Sequence, residues 1–131
     1  MKKITFESVF AVIGGLAAFL FGELDGLFFA LVAITTLDYI TGVIGAVVTA
    51  KLSSKIGFKG IAKKVYMFVV VALAHIVDVQ IFGGGTILRS VVIGFFIANE
   101  GLSILENAGN IGLPIPKKLL KALEQLKNDS E

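Results

Sequence analysis

The sequence contains no cysteine and only one histidine, and this shortage excludes several kinds of site. Without cysteine there is neither a disulfide framework nor a thiolate nucleophile or metal ligand. One histidine among scattered carboxylates gives no recognisable metal-ligand spacing, and nucleophile motifs and phosphate-binding glycine loops are also missing. We therefore expect no enzymatic activity, no metal and no cofactor.

Charge is scarce too, because charged residues make up 17% of the 131 residues and the net charge is +2. No basic patch interleaved with aromatics is present, so nucleic acid is not an expected partner. By contrast, 56% of the residues are hydrophobic and the mean hydropathy is +0.90. A soluble domain of this size could not bury so much apolar surface. The composition predicts an all-α integral membrane protein whose partner is the lipid bilayer.

Four apolar stretches have the length of spanning helices. A hydrocarbon core of roughly 30 Å needs about 20 helical residues, so the first and third stretches are near the short limit and three spans remain possible. The predicted single membrane domain over 1–131 has helices at about 6–22, 27–50, 65–82 and 88–105, a basic cytoplasmic loop at 51–64 and a cytoplasmic tail at 114–131.

Lysines fall in alternate connections, which predicts the orientation. Under the positive-inside rule both termini and the central loop face the cytoplasm, and only an even number of spans satisfies this. The lysine groups are Lys2 and Lys3, then Lys51, Lys55, Lys59, Lys63 and Lys64, then Lys117, Lys118, Lys121 and Lys127. A cleaved signal peptide is the alternative for the N-terminus, although no clear small-x-small cleavage site precedes Glu23.

Ionisable and amide side chains lie inside the apolar stretches, where they usually face protein or water. Asp38 and Glu100 both lie roughly 17 Å from the outer face at 1.5 Å per residue, so we expect them to meet near the midplane. In a dry bundle at least one of the two should be protonated. Asp38, Asn99 and Glu100 are the candidates for pore lining or assembly.

A second polar group is predicted near the outer surface. Asp78 and Arg89 lie at similar depth on adjacent antiparallel helices, a geometry suited to a salt bridge, and His75 shares a face with Asp78. Such a pair more often holds neighbouring helices together than gates a pore. A proton-sensing role for His75 is the less favoured alternative to a hydrogen-bonded one.

Small residues and lysines form regular rows. Small residues at four-residue spacing permit close helix packing, though they do not specify self-assembly. The packing candidates include Gly42, Gly45, Ala46, Gly94 and Ala98.

The central lysines either lie on the anionic membrane surface or only set the topology; they are Lys51, Lys55, Lys59, Lys63 and Lys64. After GLPIP, the leucines of KKLLKALEQLK form one stripe, which predicts a short amphipathic C-terminal helix.

Three motifs together resemble the toxin-secretion and phage-lysis holin family. They are the D-x-x-T-G run at 38–42, the S-x-x-G-x-x-G-x-x-K-K segment at 54–64, and NEGLSILEN leading to GLPIP. The resemblance spans roughly 37–127. It implies a non-enzymatic homo-oligomer of the bacterial cytoplasmic membrane that opens lesions, dissipates the membrane potential and releases an endolysin or a toxin.

The chief alternative is a small proton-coupled transporter or channel subunit, which would also place carboxylates and a histidine inside a helical bundle. A membrane anchor whose polar residues secure a partner is a third interpretation. Release of folded proteins from liposomes favours the holin, whereas saturable, substrate-specific flux favours the transporter. The sequence leaves the cargo, the oligomer number and the timing undetermined.

Overall fold

The computed structural model describes residues 3–131, which form helices joined by short connections and contain no strand. The elements are α1 (Phe6–Phe21), α2 (Gly26–Val48), α3 (Ser54–Ile76), a π-helical turn (Val77–Ile81), α4 (Ile87–Asn110) and α5 (Lys117–Ser130). The all-helical architecture predicted from hydropathy is confirmed. Lys2, one of the lysines used to predict the orientation, lies outside the described residues.

Side-chain caps begin the first three helices. Thr5, Asp25 and Ser53 each accept a hydrogen bond from the backbone N–H three residues further on. These bonds satisfy donors that a helix N-terminus otherwise leaves unpaired. Short polar residues between apolar runs therefore define where the helices start.

Three helices are long and apolar enough to cross a bilayer, namely α2, α3 with its π-helical turn, and α4, while α1 is apolar but has only 16 residues. Large apolar side chains such as Phe10, Phe19 and Leu73 are exposed on the outer surface. Lipid is the solvent that such a surface requires. A spanning role for α1, and with it the four-span topology, stays a prediction.

The core lies where the three long helices meet. Leu31 of α2, Val71 of α3 and Ile93 of α4 are completely buried and pack against each other. Phe21, at the end of α1, packs against this cluster, and α1 itself lies along α3. The apolar contacts therefore hold α2, α3 and α4 as the central bundle with α1 at its side.

The predicted basic loop at 51–64 is wrong, because α3 already begins at Ser54. Gly57 and Gly60 have low intrinsic helix propensity. Both glycines face Tyr39 of α2, whose hydroxyl would lie 3.3 Å from a Cβ built at Gly57. The two glycines make room for a neighbouring side chain, so helix packing offsets their low helix propensity. The connection between α2 and α3 is correspondingly short.

The C-terminal helix also differs from its predicted position as a tail separate from the spans. α5 turns back and packs along α4. Leucine side chains of α5 contact two glycines of α4, Leu123 against Gly101 and Leu126 against Gly94. Part of the leucine stripe is thus used inside the chain, with small residues of α4 as its docking surface, while Leu119 stays exposed.

We predict that Gly22→Ala destabilises the fold. Gly22 has φ 77° and ψ −158°, a conformation nearly restricted to glycine, and a Cβ there would lie 2.8 Å from a ring carbon of His75. The backbone strain alone should cost about 1–3 kcal/mol in the free energy of unfolding, measured by titration from mild detergent into dodecyl sulfate. Gly14→Ala is the control, because Gly14 is helical with open space around it, and it should be neutral or slightly stabilising. Equal effects at both sites would contradict the prediction.

Candidate functional site

Three charged side chains from three helices meet inside the bundle. The Lys64 ammonium of α3 donates to a carboxylate oxygen of Asp38 on α2 at 2.7 Å and to one of Glu100 on α4 at 2.9 Å. The Lys64 side chain is only 17% exposed, and both carboxylates are buried. We call Asp38, Lys64 and Glu100 the charge cluster. It links three helices that share one core.

The charge cluster changes two expectations. Asp38 and Glu100 do come together, as their equal depth predicted, but they meet through a shared lysine rather than as a bare carboxylate pair. Lys64 is not a membrane-surface residue, because its side chain turns inward between the two carboxylates. The other four lysines of the predicted surface group are exposed; they are Lys51, Lys55, Lys59 and Lys63.

An amide extends the cluster toward the C-terminal end of α4. Asn107 donates to the Asp38 carboxylate at 3.2 Å and to the Thr41 hydroxyl at 3.0 Å. Asp38 therefore has donors from both α3 and α4. Sequence reasoning missed Asn107, although it follows Glu100 by seven residues and so lies on the same face of the helix, which was the available signal.

A cavity of about 230 Å³ lies beside the charge cluster. Asp38, Lys64 and Asn107 line it, and it extends to Lys51 and Ser53 in the connection between α2 and α3. Apolar atoms make up most of the lining, but the polar groups of Asp38, Lys64 and Asn107 open onto the cavity, and it is large enough for water molecules. It connects Asp38 and Lys64 with the end of the bundle that the positive-inside rule predicts to face the cytoplasm.

The predicted salt bridge between Asp78 and Arg89 is not formed. The Asp78 carboxylate instead accepts from the backbone N–H groups of Leu88 and Arg89, at 3.1 and 2.9 Å. It thereby caps the N-terminus of α4, where the helix dipole favours a negative charge. Asp78 and Arg89 do join the two helices, but through the main chain of Arg89.

The Arg89 guanidinium reaches the connection between α1 and α2. It donates to both carboxylate oxygens of Asp25, at 3.1 and 3.2 Å, and to the carbonyl oxygens of Phe21 and Glu23. Arg89 is 2% exposed. His75 lies beside this group, close to Gly22, and its Nδ1 is buried with no hydrogen-bond partner in the structure. We call Arg89 with Phe21, Glu23 and Asp25 the arginine clamp.

We predict that acid weakens the arginine clamp. The hydrogen bond from Arg89 lowers the pKa of Asp25 below its model-peptide value of 3.8, and the cap bond from Phe28 acts in the same direction. A carboxyl whose folded pKa is lowered contributes stability that is complete above its unfolded pKa and is lost as the pH falls through the folded pKa. Unfolding titrations from pH 6 downward should show this loss near and below about pH 4. Asp25→Asn should flatten that part of the profile, and an unchanged profile would refute the assignment.

The remaining candidates do not all gather at one site. Asn99 is exposed on α4, next in sequence to the buried Glu100. Gly42 lies near the Asn107 amide, Gly45 has open space around it, and Ala46 lines the cavity. Gly94 and Ala98 are buried on α4, and Gly94 contacts α5. The small residues thus serve several different contacts.

Comparison with known proteins is consistent with this architecture. The Bacteriophage holin family matches residues 15–128 of the chain. An uncharacterised protein of Halalkalibacterium halodurans is 40% identical over 123 residues, covering 91% of each chain. A 14.9 kDa protein in the nagH 3′ region of Clostridium perfringens is 41% identical and covers 88% of each.

One named relative comes from a phage. A probable holin of Bacillus phage phi105 is 38% identical over 114 residues, which is 87% of this chain and 83% of that protein. No solved structure matches the chain. The family match across most of the sequence, together with three helices able to span a bilayer, describes a multi-pass protein of the cytoplasmic membrane. The chain belongs to the bacteriophage holin family.

Proposed function

We propose that this protein is a holin that assembles in the cytoplasmic membrane and opens lesions through which an endolysin, or in a toxin locus a toxin, leaves the cell. Family membership implies a non-enzymatic role and membrane-associated oligomers. The observation that carries the proposal is the charge cluster, which places three ionisable groups inside a bundle with an apolar exterior. Such groups in spanning helices mark pathways or assembly contacts.

The charge cluster suggests how a harmless protomer becomes a lesion. Within one chain Lys64 pairs with both Asp38 and Glu100, and all three side chains are turned away from lipid. A larger assembly that admits water along the adjoining cavity would lower the cost of separating these charges. Asp38 and Glu100 then border the lesion, while the exposed Asn99 contacts neighbouring protomers. Crowding or loss of membrane potential would favour that state.

The topology belongs to the same proposal. Four spans place both termini and the α2–α3 connection in the cytoplasm, in keeping with the lysine alternation. This arrangement requires α1 to cross the membrane despite its 16 residues, and local thinning of the bilayer accommodates a short span. The exposed lysines at the start of α3 then lie near the anionic inner leaflet.

Regulated expression in a bacterium tests the function. With a co-expressed muralytic enzyme, we expect sudden depolarisation followed by a fall in culture density, and without the enzyme depolarisation with little lysis. Continued growth with an intact potential at high membrane abundance would refute the holin assignment. In liposomes, release of folded proteins supports it, and saturable flux of one small solute without protein release would support a transporter.

The charge cluster is tested separately with Glu100→Gln. This change keeps a hydrogen-bonding side chain but removes a charge from the cluster, so the time of lysis should shift. Glu106→Gln is the matched control, because Glu106 is exposed on the same helix and outside the cluster. Unchanged timing for both variants at equal membrane abundance would remove Glu100 from the mechanism.

A further inference from the structure

The C-terminal helix packs against α4 over a long continuous contact. A Cβ built at Gly101 would lie 3.0 Å from Leu123 Cδ2, and one built at Gly94 would lie 3.3 Å from Ser130 Oγ. Gly94 and Gly101 are as far apart along α4 as Leu123 and Ser130 are along α5. The two helices therefore keep one antiparallel register from the first contact to the second. The fit depends on glycines that let the two helices approach closely.

This contact extends far along the spanning helix. At 1.5 Å per residue, Gly101 and Gly94 lie roughly 14 and 24 Å from the C-terminal end of α4. The hydrocarbon core is about 30 Å thick, so the end of α5 reaches well beyond the midplane if α4 spans it. Packed in this way, α5 is not a surface helix but one that re-enters the depth of the bilayer.

The outward face of α5 is mainly polar and charged along its length, although Leu119 and part of Leu126 are exposed as well. Its inward face carries Leu120 and Leu123, which are partly buried. The exposed positions on the other side include Lys118, Lys121, Glu124, Asn128 and Asp129. Within residues 3–131 no other element packs on α5 apart from α4. Charged side chains at membrane depth face protein or water, and lipid is not a suitable neighbour for this face.

We propose that α5 lines the aqueous lesion, with its leucine face packed on α4 and its polar face bordering the water. The inference rests on the proposed function, because it requires a lesion. It also implies that docking and assembly are coupled. A single protomer surrounded by lipid would bring the charges of α5 into hydrocarbon, so α5 docks fully only where water or an assembling lesion accepts its polar face.

A disulfide between the docked helices tests where α5 lies in the active protein. The chain has no cysteine of its own, so Gly94→Cys with Ser130→Cys creates a single pair at the deepest contact. The protein is reconstituted in phosphatidylglycerol and phosphatidylethanolamine vesicles loaded with a fluorescent protein. We expect the pair to oxidise readily and the oxidised protein to release the fluorescent protein to the same extent as the reduced one.

Three outcomes are distinguished. If release occurs but the pair does not oxidise, α5 does not dock at depth and the inference is overturned. If oxidation stops release that dithiothreitol restores, docking belongs to a closed state and the inference is again overturned. If the unsubstituted chain releases nothing, the proposed function fails instead. Gly94→Cys with Asp129→Cys is the matched control, since Asp129 is exposed, and it should oxidise much less.

A second measurement addresses the water on the polar face. Glu124→Leu with Asn128→Leu makes this face apolar, and a lesion lined by it should dewet, reducing protein release about tenfold or more. The Gly94→Cys and Ser130→Cys pair is added to this variant as a check. If the pair still oxidises, α5 still docks on α4. Full release from the docked leucine variant would show that the polar face does not border the lesion.

Discussion

Lys64→Met is expected to lower the stability of the bundle more than any other single lysine substitution. The change leaves Asp38 and Glu100 facing each other without the ammonium that joins them. Removing one partner from a buried ion pair typically costs about 3–5 kcal/mol, because the remaining charge is uncompensated. The loss is large here because α2 and α3 make few other direct contacts. It is measured as the free energy of unfolding in dodecyl sulfate titrations and as abundance in the membrane.

A matched control and a compensating variant separate charge from packing. Lys63→Met changes an exposed residue next in sequence and should have little effect. The triple variant Asp38→Asn, Lys64→Met, Glu100→Gln removes all three charges and should recover most of the lost stability, since a neutral replacement of a buried ionic group is often tolerated. If Lys64→Met and Lys63→Met were equally stable, the charge cluster would not hold the helices together.

The compensated variant also tests the mechanism. Its bundle should be stable, but it lacks the charges that we propose are hydrated in the lesion. We therefore expect normal membrane abundance with delayed or absent lysis. Lysis at the usual time from a protein without Asp38, Lys64 and Glu100 charges would show that the charge cluster is structural only.

The spanning helices could be predicted from sequence because their signal is additive along the chain. Each apolar residue contributes to the hydropathy of a window, so errors at single positions matter little. Depth along a helix follows from residue counting in the same way, which is why the meeting of Asp38 and Glu100 was foreseen. The start of the third helix was predicted wrongly, at about 65 instead of Ser54, because polar residues at the beginning of α3 lower the hydropathy there.

The partners of the polar side chains could not be predicted in the same way. Lys64 looked like one more lysine of a basic loop, because the pattern does not reveal that Gly57 and Gly60 face Tyr39 and allow the helix to start early. Arg89 and Asp78 have matching depth, yet the backbone at the start of α4 competes for the Asp78 carboxylate. Partner choice depends on side-chain direction and on competing donors, which only the folded chain specifies.

The position of α5 shows the same limit. Its leucine stripe predicts an amphipathic helix, but membrane surface, another copy and its own chain all offer an apolar surface. The face of α4 that receives it is built from small residues, among them Gly94 and Gly101. That complementarity is visible only once the loop after α4 is known to turn back.

Arg89→Met is expected to release the connection between α1 and α2 from the bundle. The substitution removes the donors for the Phe21 and Glu23 carbonyls and the cation that pairs with Asp25. The other contacts of α1 are mainly with α3, and at this end Phe21 packs on the apolar core, so the arginine clamp adds the polar part of the attachment. Asp25 stays solvated when its partner is lost, so the cost comes mainly from the carbonyl groups left without a donor and should be about 1–3 kcal/mol. Amide hydrogen exchange at 22–25 should rise strongly.

Two further variants make the result specific to the guanidinium. Arg89→Lys keeps a charge but cannot present several donors in a fixed fork, so it should recover only part of the protection from exchange. In Asp25→Asn the side-chain amide oxygen can still accept the cap bond, and Arg89 still donates to the two backbone carbonyls. This variant should therefore lose less stability than Arg89→Met. If Arg89→Met left exchange at 22–25 unchanged, the clamp would not be what holds α1. In the proposed function α1 is the first membrane span. Loosening α1 from the bundle should therefore also reduce depolarisation in cells.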